Sequence, residues 1–178
     1  QIYNNLDYDW ISLKEREVLI ETTGISERHF SKSGTCTSDV AVYAAEKLIN
    51  EINWDKDEIE LIVFVSQSRD YVLPNTACLI QDRLKISKKC MAFDIPLGCS
   101  GYVYGLSVAT SLVSHGSIKK AILIAGDVAS YDLSYTDKSA YPLFGDAVSI
   151  TCLEYTGNKE DIFDFNLQTD GSGFEAII

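Results

Sequence analysis

The chain has little of what would place it in several large classes of protein. Basic residues are outnumbered, 15 Lys and Arg against 26 Asp and Glu, for a formal charge of −11. Nucleic acid and anionic membrane surfaces both call for a positive face, so neither is expected as a main partner. The clusters Lys85, Lys88, Lys89 and Lys119, Lys120 read as solvated rim with room for a local acidic ligand. Histidine is scarce: His29 and His115 lie far apart, and neither stands at ligand spacing from a cysteine, which argues against zinc or another metal. The five cysteines are odd in number and contain no Cys-x-x-Cys, which suits reduced thiols in a cytoplasm better than a disulfide framework. No apolar run reaches membrane-spanning length, and no signal-peptide pattern opens the chain. Repeats, low-complexity tracts and flexible linkers are missing too.

What is present is a soluble, globular composition, 46% hydrophobic over 178 residues, enough for one domain with a substantial core. The sequence begins at Gln1 without methionine and ends on the apolar "FEAII", which reads as a piece of something longer. Residues 12–21 predict a short amphipathic helix with a Ser12 cap and Glu15 three residues on. The charged "TTGISERHF" at 22–30 predicts a turn or loop, with His29 solvated. Helical spacing of Val40, Ala41, Ala44, Ala45, Leu48 and Ile49 predicts a helix over 38–51. A second helix is expected after Pro74, capped by Asn75, and a third from Cys99 to a stop at Gly116, with His115 at its end. An unbroken apolar run at 59–66 predicts a strand covered on both faces, 89–95, 119–127 and 147–155 read as three more, and alternation over 161–171 predicts a fifth. The order of elements implies right-handed crossovers and a three-layer α/β/α domain.

In such sheets, sites form beyond the carboxyl ends of the strands, and Cys99 falls there, four residues after Ile95. The stretch "FDIPLGCSGYVYG" at 93–105 sets this cysteine between Gly98 and Gly101. Gly98 would permit a sharp strand-to-helix turn, and the first turn of the helix offers free amides and a dipole that favour a thiolate or an oxyanion. Glycine inside a helix costs roughly 1 kcal/mol against alanine, so Gly101 and Gly105 are expected to relieve a steric demand. The helix itself is apolar on nearly every side, as an interior helix is. Free cysteine is equally a common packing residue, so the local residues leave nucleophile and core thiol both open. Cys36, Cys78, Cys90 and Cys152 are read as structural.

Five segments occur in order: "TGISERHF" at 23–30, "LPNTACLIQDRLKI" at 73–86, "AFDIPLGCSGYVYGLSVA" at 92–109, "KKAILIAGDV" at 119–128 and "YPLFGDAVSI" at 141–150. Together they resemble the N-terminal half of β-ketoacyl-acyl-carrier-protein synthase III, of the thiolase-like superfamily, from about Ile20 to about Gly173. The resemblance implies an α/β thiolase-like half with a mixed, mostly parallel sheet. It implies that Cys99 accepts an acyl group from a thioester, after which malonyl on acyl carrier protein loses carbon dioxide and attacks that group. The decarboxylating histidine and asparagine of the family lie in its second half, and neither His29 nor His115 matches that histidine. No cofactor is implied; coenzyme A or acyl-carrier-protein thioesters are substrates, acyl carrier protein is a partner, and a cytoplasmic homodimer is expected.

The same resemblance carries substrate-binding positions. Leu73 matches a position that helps bound the acyl pocket near the dimer interface. Phe144, with Gly145 and Asp146, matches an "FGD" turn beside the active site, where core packing and a tight turn are the plainer explanations. Arg28 matches a regularly placed arginine that a surface ion pair would equally explain. Thr23 opens the "TGI" element. Lys138 stands where an arginine is usual, keeping charge without the planar fork. Val18 and Thr22 replace a tryptophan and an arginine of enzymes primed by acetyl-coenzyme A, so a carrier-bound or unusual donor is expected. The alternatives are a non-catalytic dimerisation or carrier-binding paralogue, and an acyltransferase relative that forms esters or amides. The family fold also opens with a central strand ahead of the point where Gln1 aligns.

Overall fold

The computed structural model describes residues 1–158 and 163–177. Its centre is strand β3, Leu61–Val65, whose five side chains are all buried. Leu61, Val63 and Val65 face one side, and Ile62 and Phe64 the other, so a continuous apolar run is what two covered faces demand. Around it the sheet runs in the order β4 (Met91–Ile95), β3, β5 (Lys120–Asp127), β6 (Ala147–Glu154). The β4–β3 and β3–β5 pairs are parallel and β5–β6 is antiparallel. Helices α2 (Thr37–Glu51) and α3 (Thr76–Leu84) cover the Ile62 face through Ala41, Ala45, Ile49, Ala77, Ile80 and Leu84. Helix α4, Gly101–Val113, covers the other through Ala109 and Val113. The predicted α/β/α layering and mixed, mostly parallel sheet are both found.

The glycines of α4 have the steric reason expected of them. A methyl group on Gly101 would stand 2.5 Å from Val65 Cγ1, and one on Gly105 would stand 2.7 Å from Val65 Cγ2 and 2.8 Å from Leu123 Cδ1. The buried face of α4 is thus the row Gly101, Gly105, Ala109, Val113, four residues apart, with Thr110 beside it. The opposite face is not interior in this chain: Tyr102 and Val103 are exposed. The helix closes as predicted, with Gly116 left-handed at φ 71° and His115 Nδ1 3.0 Å from the Ser111 carbonyl.

Four expectations need correction. The segment 22–30 is not all loop: β2, Glu27–His29, pairs antiparallel with β1, Ile2–Asn4, because Arg28 turns inward between exposed Glu27 and His29. Helix α1, Leu13–Thr23, has the predicted Ser12–Glu15 capping box and ends at left-handed Gly24, but none of its residues is buried. Leu13, Val18, Leu19 and Ile20 are spread around its circumference and make no single stripe. Asn75 makes no capping bond for α3; Asp94 of β4 accepts from the Thr76 and Ala77 amides instead, both at 2.8 Å. The expected fifth strand is absent from residues 163–170, and its first two positions, 161 and 162, lie outside the described residues. Period-two alternation does put Phe163 and Phe165 side by side, rings 6.2 Å apart, but without a paired edge that makes no strand.

The structural cysteines divide. Cys90 and Cys152 pack half-buried against the core, and burial pushes their thiols up to about 12 and about 11. Cys36 and Cys78 are exposed, Cys36 just ahead of α2 and Cys78 on α3, so core packing does not account for them. Two outcomes are expected. Gly105→Ala forces its methyl into a stiff β-branched neighbour, and denaturant unfolding should show a loss of about 1–3 kcal/mol, the usual cost of overpacking. For the thiols, the unfolded chain releases its protons first, so stability is complete below pH ~8.5 and falls as pH rises toward the raised folded values. A pH series of unfolding midpoints should therefore fall less steeply above pH ~9 for Cys152→Val than for the unsubstituted chain.

Candidate active site

Strand β4 ends at Ile95, and a short loop then carries Cys99 to the start of α4. The Leu97 amide donates back to Ile95 O at 2.9 Å and the Gly101 amide to Gly98 O at 2.7 Å, which folds residues 95–101 into two tight turns. Cys99 is exposed with a free thiol. Ser100 makes no side-chain cap, and no acidic residue lies in the first turn, so after the Gly101 amide, which Gly98 O takes, the helix's own side chains leave the next amides of α4 unclaimed. Gly98 does not serve a left-handed turn. A methyl group there would stand 2.5 Å from Gln67 Oε1, the far end of an exposed, flexible side chain that can move aside.

Gln67 belongs to the turn that leaves β3, and Asp127 at the end of β5 holds that turn. A single oxygen, Asp127 Oδ1, accepts from the Gln67 amide (2.7 Å), the Ser68 amide (2.8 Å), Ser66 Oγ (2.8 Å) and Ser68 Oγ (3.0 Å). Thr37 at the start of α2 donates to Ser68 O at 2.7 Å, and the Val128 amide donates to Ser68 Oγ at 2.9 Å. The carboxyl ends of β3 and β5 are thereby tied by charge-assisted bonds into one frame. Sequence reading passed over both Gln67 and Asp127. The available signal was their position, polar residues within a few places of the ends of the buried apolar runs 61–65 and 121–124.

A second cluster surrounds Arg28. It is 5% exposed, and its guanidinium donates to Asn5 Oδ1 (2.9 Å), Tyr141 O (2.5 Å) and Phe144 O (3.3 Å) while lying over the Phe30 and Tyr141 rings. The surface ion pair offered for it is replaced by a buried carbonyl and ring cage. Burial lowers its proton affinity, and the neighbouring tyrosines oppose that. Asp146 completes the cluster: Oδ2 accepts from the Ser31 amide and Ser130 Oγ, both at 2.7 Å, and Oδ1 from the Ser130 amide at 2.9 Å. Gly145 packs against the His29 backbone, so the turn after Phe144 is built into the fold. Phe144 itself stands half-exposed beyond it.

The remaining candidates fall in two places. Thr23 and Lys138 line one groove of about 500 Å³, together with Val18, Thr22, Glu15 and Leu143. Three positions singled out as departures, Val18, Thr22 and Lys138, are therefore neighbours in space. No aromatic side chain lines this groove. Thr23 Oγ1 is taken up locally, donating to Leu19 O at 2.7 Å and accepting from the Ile25 amide. Lys138 Nζ lies 3.7 Å from Glu15 Oε1, an exposed pair of little energetic weight that still balances its charge. Leu73 is 80% exposed on an apolar turn with Tyr71 and Val72, ahead of α3. Among the described residues no group of His, Cys, Asp and Glu is arranged to hold a metal ion, and no helix is long and apolar enough to cross a membrane.

Residues 93–171, which include Cys99 and the turn at Phe144, match the family model of 3-oxoacyl-[acyl-carrier-protein (ACP)] synthase III. A β-ketoacyl-[acyl-carrier-protein] synthase III of Aliarcobacter butzleri is 34% identical over 180 residues, which covers 100% of this chain and 54% of that protein. One of Koribacter versatilis is 34% identical over 179 residues, covering 99% and 54%. The crystal structure of a 3-oxoacyl-(acyl-carrier protein) synthase from Burkholderia xenovorans superposes with a TM-score of 0.84 at 33% identity, covering 88% of this chain and 45% of that one. The chain spans about half the length of the relatives it matches. Along its whole length the chain is similar in sequence to 3-oxoacyl-[acyl-carrier-protein] synthases III, and its fold is thiolase-like as theirs is.

Proposed function

We propose that this chain is the acyl-accepting N-terminal domain of a condensing enzyme, and that Cys99 is its nucleophile. The observation that carries this reading is an exposed thiol, set between the carboxyl end of β4 and the uncapped start of α4, inside the segment that matches the family. The Cys99 sulfur attacks a thioester carbonyl, the free amides of the first helical turn stabilise the oxyanion, and the donor thiol leaves with a proton. Malonyl on acyl carrier protein then loses carbon dioxide, and its carbanion displaces Cys99 to give a 3-oxoacyl product. Neither histidine here serves that second step: His115 is bound to the Ser111 carbonyl and His29 lies on exposed β2. The decarboxylating pair belongs to a second domain.

The groove of Thr23 and Lys138 receives the donor's arm, and Leu73 and Phe144 border the acyl group. Its lining favours a carrier-bound donor over a nucleotide because no ring is present to stack on a base; Lys14 and Lys138 set two cations against Glu15 there, which suits the phosphate of either donor. The working enzyme is a cytoplasmic homodimer that uses acyl carrier protein and needs no cofactor.

The test is intact-mass analysis of the natural full-length protein with a panel of acyl thioesters. One acyl adduct is expected, mapping to Cys99 and lost in Cys99→Ala, and iodoacetamide should alkylate Cys99 at least ~10-fold faster than Cys90 or Cys152. Absence of an adduct, or even labelling of all five thiols, leaves a carrier-binding paralogue as the better reading.

A further inference from the structure

At the carboxyl end of β3, almost every polar group is already spent. The Ser66 and Ser68 hydroxyls and the Gln67 and Ser68 amides all converge on Asp127 Oδ1, and Thr37 Oγ1 is bound to Ser68 O. The side-chain amide of Gln67 differs. It has no hydrogen-bond partner among the described residues, and it lies beside Gly98. Its backbone is fixed by Asp127, and Oε1, Cδ and Nε2 would lie 2.5, 2.8 and 3.1 Å from a methyl group on Gly98. The whole amide therefore lies against the residue immediately before Cys99. Gln67 is exposed, so water satisfies it in the free protein, and an acyl group on the Cys99 sulfur would displace that water.

We propose that Gln67 is a specificity-determining residue, whose amide selects acyl groups carrying a hydrogen-bonding substituent close to the thioester carbonyl. The inference rests on Cys99 as the acyl acceptor. An apolar acyl group would strip water from the amide and return nothing, whereas a hydroxyl next to the carbonyl's neighbouring carbon replaces the lost bond. Chemically the step is unchanged: the sulfur–acyl bond to Cys99 forms, the donor's carbon–sulfur bond breaks, and the Cys99 proton leaves on the donor thiol.

The experiment competes butyryl- against 3-hydroxybutyryl-N-acetylcysteamine for the natural full-length protein, with the Cys99 adducts counted by intact mass. The hydroxy donor should be favoured by about tenfold, the worth of one neutral hydrogen bond. Gln67→Met keeps length and packing without the amide; it should bring the ratio near one, with the butyryl rate rising because that donor no longer strips water from a polar group. A ratio near one in the unsubstituted protein, or a preference that survives in Gln67→Met, overturns the inference while Cys99 stands. Equal loss of both rates in a folded Gln67→Met would make the residue a support for the Cys99 turn only, which also overturns it. No adduct on Cys99 with either donor removes the reading on which the inference depends.

Discussion

The burial of β3 on both faces is the constraint from which the rest of the domain follows. A strand with five buried side chains needs a neighbour on each edge and a helix layer on each side, and β4, β5, α2, α3 and α4 supply them. Val65, the last of the five, presents one methyl to Gly101 and the other to Gly105. Beyond Val65 the chain has no apolar partner left to find, and it turns through Ser66, Gln67 and Ser68 onto Asp127. The start of α4 is therefore fixed to the sheet by the packing beneath it, while Asp127 fixes the turn whose Gln67 lies beside Gly98.

The acidic balance acquires a partial structural meaning. Asp39, Asp70, Asp94, Asp127 and Asp146 each accept from backbone amides, and all five are only half-exposed. Asp94 holds the start of α3, Asp127 the turn after β3, and Asp146 joins the segment after β2 to the segment after β5. A carboxylate that accepts several N–H bonds does for these crossings what a capping side chain does for a single helix. The charge excess left on the surface sets solubility, but these five charges set geometry.

What could be read from the sequence was whatever depends on neighbours close along the chain. Period and run length sufficed for β3, β5 and α4, the Ser12–Glu15 box for α1, and the interior glycines for the contact of α4 with something unyielding. Cys99 stood out because five segments around it keep a family order. Long-range partners were invisible. Arg28 looked like a surface charge because its cage, Asn5 and the 141–144 carbonyls, lies more than 20 residues away on one side and more than 110 on the other. Asn75 looked like a cap because nothing local revealed Asp94, 18 residues on from Thr76. Residues 163–170 show the reverse failure, a valid local alternation that no neighbouring edge takes up.

The two notches in α4 have a mechanical corollary. With Val65 seated against both Gly101 and Gly105, the helix can neither slide along its axis nor roll without driving a methyl into the next residue's Cβ position. Its first turn behaves as a fixed jaw. The 71–74 turn and Phe144, by contrast, carry exposed apolar side chains that nothing in this chain covers among the described residues. Freedom to change shape is thus lodged in those side chains, and the helix that follows Cys99 has none.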